Sequence, residues 1–379
     1  MNQLKGFSCL SNYIFASRNV KMAETLKKDI QDSINDSIEK KLPFVFYRLP
    51  ENEEIHFIRE TLPGNFVQSE APGFMFSPFQ QDKDTWTYFI RNDTHIVGSL
   101  EDLYNVSFKI EDICGGASSN RQLTKDDFYN QVNKAVDSIK KGELDKVILS
   151  RIEEVKVEME PLRMFIGLCK KYNSAFVALV VIPGQTVWLT ASPELLVSLE
   201  LDKIKTVSLA GTKLTGDKTP WGDKEKHEQQ IVTDYIQDLL KKHCSDIKVS
   251  APENIVAGNV MHLKSEFHAT LTTDLLQLVK ELHPTPAICG TPKDKALAFI
   301  NNTELHHRKY YTGYLGPCNI EGETDLFVNL RCAELFKGKA NLYIGGGITA
   351  DSDPEKEWSE TNMKAQTLLS VIAPATKAV

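Results

Sequence analysis

The sequence predicts an α+β fold, in which antiparallel strands fall into groups and helices stand between the groups. Three observations lead there. Strand-like runs follow one another through tight turns, as in SAFVALVVI, the turn PGQ and TVWLTA. Helical stretches separate groups of strands rather than every pair, so the βαβ alternation of a doubly wound parallel sheet is missing. The 379 residues are 41% hydrophobic and 25% charged, an ordinary globular balance on a chain long enough for a sizeable core. Length alone gives a prior of about two domains.

Taken in order, the first 22 residues carry a few apolar side chains interrupted by Ser, Asn and Arg. They make a poor signal peptide and read as an ordered leader, a fraying end, or a segment upstream of a start at Met22. Residues 23–40 are charged and helical. From Phe44 to about Ile110, runs such as FVFYRL, TWTYFI and YNVSFKI alternate between Pro, Gly and Asn-Asp breaks, which is β-rich sequence. Residues 111–124 are the most linker-like stretch, either a domain boundary or a crossover loop. Thr124, Asp126 and Asp127 then open a helix.

From Lys146 onward the runs KVILSRIEEVKVE, SAFVALVVI, TVWLTA, ELLVSLEL and KIKTVSLAGT read as an antiparallel meander, with one helix after the first. Helices are expected at 223–242, 273–282 and 293–302, strands at 311–318, 325–335 and 340–348, and a last helix from 354 to about 372. No short-period repeat or low-complexity segment is present.

The 44 basic and 51 acidic residues leave a net charge of −7, which generates no broad positive field. Nucleic acid and anionic membranes are therefore not expected partners. No apolar run approaches the roughly 18 residues of a membrane span. Seven scattered cysteines without a Cys-x-x-Cys pair read as reduced thiols of a cytoplasmic protein.

Two Glu-x-x-Glu pairs stand on predicted helices, each directed toward the apolar stripe. Glu225 and Glu228 lead into Val232, Tyr235, Ile236 and Leu239; Glu357 and Glu360, after an Asp353 cap and Pro354, lead through Lys364 to Leu368 and Ile372. They are either solvated charges favoured by the helix dipole or all-oxygen ligands suited to Mg²⁺. Lys146 opens an apolar strand, either as an exposed edge residue or, in a closed pocket, as a general base. Glu194 follows Pro193 at a strand start, where apolar surroundings would keep a carboxyl protonated as a general acid. The run Gly345-Gly346-Gly347 allows either a close approach of backbone to a ligand or a tight bulge. It lacks the spacing of a dinucleotide fingerprint.

The ordered set KVILSR, SPELLV, LAGT, KEKHEQQIV, VMHLKSEF, LHPTPAICGTP, YYTGYLG, NLRCAEL, IGGGI and EKEWSETNMK resembles the chorismate-utilising enzymes, the family of anthranilate synthase component I. The likeness runs from about residue 125 to 375, roughly two-thirds of the chain. It implies a single large domain of two packed antiparallel sheets with helices outside, residues 1–120 supplying the outer strands and 121–379 the chorismate-binding catalytic region.

Within the family, members that add water carry a lysine where Lys146 stands, and Ala210 replaces the nucleophilic lysine of the aminodeoxychorismate branch. The resemblance therefore implies isochorismate synthase activity, for menaquinone or catecholate siderophores, on the small-molecule substrate chorismate. Salicylate synthase and a non-catalytic chorismate-binding relative are the alternatives. By the same resemblance Lys146 is the base and Glu194 the acid. Glu228 and Glu360 are direct Mg²⁺ ligands, with Glu225 and Glu357 acting through water. Arg331, Tyr311, Lys364 and the Gly345 backbone face the enolpyruvyl carboxylate, Thr212 and His262 the ring, and Ala287 and Ile288 form its apolar wall. No glutaminase subunit is implied, and the protein is expected to be a monomer. The one departure is GGGI where relatives often show GAGI.

Overall fold

The run Phe176–Ile182 shows how one strand serves two cores. In the computed structural model, which describes residues 26–63, 71–114, 123–257 and 260–372, all seven of its residues are buried. Val177, Leu179 and Val181 join a cluster with helix residues such as Leu162, Phe165 and Leu368. Phe176, Ala178, Val180 and Ile182 join a different cluster with Phe74, Phe76 and Phe327. Side chains alternate across a strand, so a continuous apolar run means that both faces are covered.

In chain order the amino-terminal part holds α1 (26–40), β1 (Phe44–Arg48), β2 (Ile55–Arg59), β3 (Gly73–Ser77), β4 (Tyr88–Arg91), β5 (Thr94–Gly98) and α2 (Ile110–Ile113). The middle holds α3 (Lys125–Lys140), β6 (Lys146–Lys156), α4 (Pro161–Lys171), β7 (Phe176–Ile182), β8 (Thr186–Ser192), β9 (Leu195–Glu200), β10 (Lys203–Leu214) and α5 (Asp223–His243). There follow β11 (Cys244–Val249), β12 (Glu253–Ala257), β13 (Val260–Leu271), α6 (Leu275–Leu282), β14 (Gly290–Thr291) and α7 (Lys293–Thr303). The chain closes with β15 (Tyr314–Cys318), β16 (Glu323–Val328), β17 (Cys332–Phe336), β18 (Lys339–Ile348) and α8 (Pro354–Ile372).

The first sheet has the order β14-β6-β18-β17-β8-β7-β1-β2-β5; the second has β11-β13-β10-β9-β16-β15-β3-β4, with β12 also on β13. Every pairing is antiparallel. The two sheets stack through an aromatic layer in which Phe176 and Phe327 lie 4.2 Å apart and nearly parallel. Helices α3, α4, α7 and α8 pack on the first sheet, α5 on the second, and α6 on α5. Strands β1, β2 and β5 extend one sheet, and β3 and β4 the other. Among the described residues no helix is long and apolar enough to cross a membrane.

Apart from the single turn α2 at the start of the linker-like stretch, the helices fall where the sequence puts them. Thr124 caps α3, its hydroxyl accepting from the Asp127 amide at 3.1 Å while the Asp127 carboxylate accepts from the Thr124 amide at 3.1 Å. Asp353 accepts from the Lys356 amide at 3.0 Å at the start of α8.

Four expectations change. YNVSFKI is not a strand, although Val106 and Phe108 are buried. Side chains hold its backbone in place of a ladder, Gln31 bracketing both backbone groups of Ser107 and Arg163 donating to the Val106 carbonyl. Between α5 and α6, where no strand was expected, stand β11, β12 and the twelve-residue β13. The meander is two hairpins, β7–β8 and β9–β10, on different sheets. Pro193, which has no amide to give a ladder, stands where the chain changes sheet. The strand expected over 325–335 is likewise split into β16 and β17, again on different sheets. The amino-terminal leader lies outside the described residues, as does most of the linker-like stretch, 115–122.

Candidate active site

The two places where the chain changes sheet are tied to each other. At the first, between β8 and β9, the Val328 amide donates to the Glu194 carbonyl at 3.0 Å and Ser192 Oγ donates to the Val328 carbonyl at 2.5 Å. At the second, between β16 and β17, the Ala191 amide donates to the Arg331 carbonyl at 3.1 Å and Thr190 Oγ1 to the Leu330 carbonyl at 2.9 Å. Arg331 turns the corner with φ +48°, in the left-handed region that few side chains adopt without a reason. The two crossings deliver Glu194 and Arg331 to one cavity of about 150 Å³.

That cavity also receives Lys146 and Ile148 from β6, the three glycines of β18, Glu225 and Glu228 from α5, and Glu360 and Lys364 from α8. His262 of β13, Tyr311, Ala287 and Ile288 complete the predicted set that lines it. Thr212 stands in β10, but its side chain lies outside the described residues. Glu357 does not line the cavity; it is buried behind it, where Ser352 Oγ donates to its Oε1 at 2.7 Å.

The glycine run is regular strand without a bulge, Gly345, Gly346 and Gly347 pairing in register with Ser150, Leu149 and Ile148. Its function is clearance. A Cβ on Gly345 would lie 2.6 Å from Tyr311 Oη and 2.8 Å from the Leu149 carbonyl oxygen. A Cβ on Gly347 would lie 2.9 Å from Lys146 Cε, and one on Gly346 would stand 3.5 Å from Glu357 Oε2 and 3.7 Å from Glu360 Oε1. Bare backbone thus lets the lysine and the carboxylates approach the strand from their own sides.

Lys146 is only 3% exposed, and its Nζ lies 3.6 Å from Glu228 Oε2. Lys364 Nζ pairs with Glu360 Oε1 at 2.6 Å and donates to the Gly345 carbonyl at 3.0 Å. Glu225 has no hydrogen-bond or ion-pair partner among the described residues, and neither has the Arg331 guanidinium. An arginine with no protein partner at a cavity wall is suited to an anionic ligand, because its planar fork matches a carboxylate.

Burial sets the charge states. It pushes the Glu194 carboxyl up to about 8 against the pull of Lys146 and Arg331, so the group is a proton donor at neutral pH. It pushes His262 down to about 4, so the ring is neutral. His262 Nδ1 donates to the Gly211 carbonyl at 2.7 Å, which leaves Nε2 as the lone-pair nitrogen. The same loss of water lowers the pKa of Arg331.

Carboxylates on α5 and α8 offer only hard oxygen donors, the chemistry that Mg²⁺ selects. In kind they fit such an ion. As they stand, no three acidic, histidine or cysteine side chains among the described residues are gathered closely enough to hold one. Glu228 and Glu360 are instead neutralised by Lys146 and Lys364.

Sequence reasoning missed Tyr343, whose ring stacks on Tyr311 at 5.7 Å and lines the cavity. Its place two residues before Gly345 on the same strand face was the available signal. Arg308 and Glu304, buried just behind the cavity wall, carried no local signal, because a charged pair after a helix reads as surface.

The sequence pattern described as chorismate binding enzyme matches residues 114–373, more than half of the chain. The chain belongs to the chorismate-binding enzyme family. Among family members, the isochorismate synthase EntC of Escherichia coli is 29% identical over 259 residues, spanning 64% of this chain and 66% of that protein, just under two thirds of its length. The isochorismate synthase DhbC of Bacillus subtilis is 31% identical over 267 residues, spanning 64% of this chain and 67% of the relative. The solved structure of MenF, the menaquinone-specific isochorismate synthase of Escherichia coli, superposes with a TM-score of 0.74 at 19% identity, covering 87% of this chain and 88% of that one. Anthranilate synthase component I of Streptococcus pneumoniae gives 0.64 at 20% identity, covering 86% and 92%. At these identities the structural likeness establishes the fold that the family shares.

Proposed function

We propose that this chain is an isochorismate synthase, moving the hydroxyl of chorismate from C4 to C2. The observation that supports this reading most is the pairing, in one cavity, of a buried lysine with a carboxyl that burial keeps protonated near pH 7. Acting as the base, Lys146 takes a proton from water as the water oxygen bonds to C2. The ring double bond shifts, and the C4 hydroxyl leaves with the proton of Glu194. One water enters and one departs, so the product is an isomer of the substrate. Arg331 and Lys364 are the cations on hand for the enolpyruvyl carboxylate, with Tyr311 packed beside the Gly345 backbone. His262 faces the ring as a neutral acceptor, and Ala287 and Ile288 supply its apolar wall.

Glu228 and Glu360 would hold Mg²⁺ directly, with Glu225 and Glu357 acting through water. Bound there, the ion would neutralise the ring carboxylate and withdraw charge from it. Because water and not ammonia is the nucleophile, the reading needs no glutaminase subunit; it is that of a cytoplasmic monomer, whose product feeds menaquinone or a catecholate siderophore. The test is incubation with chorismate and Mg²⁺, with products separated by chromatography. Isochorismate as the main product supports the proposal; salicylate with equimolar pyruvate, or no turnover, overturns it.

A further inference from the structure

We infer that Glu304 and Arg308 are positioning residues for Lys146, acting as a side-chain substitute for a missing strand at the open edge of β6. The inference rests on the reading of Lys146 as the base. On one edge β6 pairs with β18 throughout the cavity, Gly347 opposite Ile148 and Gly345 opposite Ser150. On the other edge β14 pairs only with Lys146 and Val147, and the last backbone bond runs from the Ile148 amide to the Cys289 carbonyl at 2.9 Å. The next two ladder groups on that edge are the Ile148 carbonyl and the Ser150 amide.

Both are taken by the ion pair. Arg308 Nη2 donates to the Ile148 carbonyl at 2.8 Å, and the Ser150 amide donates to Glu304 Oε1 at 2.7 Å. Ser150 Oγ adds a second bond to the same carboxylate oxygen at 2.8 Å and meets His306 Nε2 at 3.0 Å. Arg308 and Glu304 lock each other as a two-pronged pair, Nε to Oε2 at 2.8 Å and Nη2 to Oε1 at 2.7 Å, with side chains 3% and 2% exposed. The remaining prong, Nη1, donates to the Ile288 carbonyl at 2.9 Å. One guanidinium therefore ties together two walls of the cavity, β6 and the apolar segment at Ile288, and Phe79 stacks on it at 4.5 Å.

Lys146, Ile148 and Ser150 share one face of β6, so the twist of the strand at residues 148 and 150 sets where the Lys146 amine points. A misplacement of about 1 Å is enough to cost on the order of 100-fold in rate. Neither residue of the pair lines the cavity, and its proposed effect on Lys146 is through geometry alone.

The test uses Glu304→Gln and Arg308→Lys, with Ser150→Ala as the mildest perturbation and Lys146→Gln as reference. We expect kcat to fall about 10- to 100-fold in the first two and about 2- to 5-fold in the third, with the Kd for chorismate within about 3-fold of wild type. Amide hydrogen exchange in the peptide carrying Ser150 should quicken in both charge variants while the rest of the first sheet keeps its protection. A purely structural role would lower Tm and the active fraction without moving kcat per titrated site. Unchanged kcat, or unchanged exchange at Ser150, in variants that bind chorismate overturns the positioning role. Wild-type turnover by Lys146→Gln would instead overturn the base assignment beneath it.

Discussion

Lys146 Nζ and Glu228 Oε2 stand 3.6 Å apart although they come from opposite halves of the sandwich, the lysine from β6 of the first sheet and the glutamate from α5 on the second. The pair spans the cavity, and it joins the proposed base to a proposed metal ligand. A charge on either partner is felt by the other, so the two roles should be separable by substitution but not independent.

Lys146→Gln keeps a polar side chain, one atom shorter, and removes the base. We expect isochorismate formation to fall by about 10²- to 10⁴-fold, the usual span for a general base, with chorismate still binding within a few-fold of wild type. Chromatographic turnover beside calorimetric binding measures both, and near-normal turnover would refute the assignment.

Glu194 sets a pH limit. Its folded-state pKa is raised, to about 8 by burial, so the acid form is present below that value and lost above it. The rate should decline as pH rises through about 8. The raised pKa also means that whatever stability the protonated group provides is fully present below the unfolded value, near 4.3, and is lost as pH rises through about 8. Glu194→Gln should thus be inactive yet melt higher than wild type, by a margin that grows between pH 5 and about 8. A margin that shrinks over that interval would contradict the buried, protonated carboxyl.

Glu228→Gln and Glu360→Gln each remove one carboxylate from the proposed Mg²⁺ set. Calorimetric titration with Mg²⁺ should show weakening of at least 10-fold in each, and the loss of activity should follow the same titration. Mg²⁺ affinity equal to wild type in both would place the ion elsewhere.

Arg331→Met retains much of the side-chain volume while deleting the guanidinium, which has no partner among the described residues. A hydrogen bond to a charged group is worth roughly 1.5–3 kcal/mol, so chorismate should bind about 10- to 100-fold more weakly. Since no protein partner is left uncompensated, Tm should hold or rise. A large fall in Tm with unchanged binding would make Arg331 structural.

Gly347→Ala tests the clearance argument. The added Cβ would meet Lys146 Cε at 2.9 Å, and the flexible end of the lysine can yield where backbone cannot. The fold should survive with Tm lowered only slightly while kcat drops by 10-fold or more. Full activity would mean that the glycine serves no purpose at this position.

Much of the fold could be read from residues that act locally. The Thr124 and Asp353 caps, Pro354 at the first turn of α8 and the apolar stripe of α5 each work through neighbours one turn away, which is why α3, α5 and α8 fall where expected. Strand partners were less legible. The runs from Leu326 to Leu335 look like one apolar strand, and nothing local says that Asn329, Leu330 and Arg331 carry the chain from one sheet to the other.

The sequence by itself determined the residue types of the candidate site, in motif order: a lysine heading β6, a glutamate after Pro193, two carboxylate pairs on helices and a glycine run on β18. Only the tertiary structure decided what those residues meet. Crossings at Glu194 and Arg331 put an acid and a guanidinium in one cavity, α5 and α8 brought carboxylates from two different sheets toward it, and burial favoured the proton on Glu194. Caps and periodicities depend on contacts within a few residues, whereas charge state and convergence depend on which distant segments exclude water, and that is settled when the sheets stack.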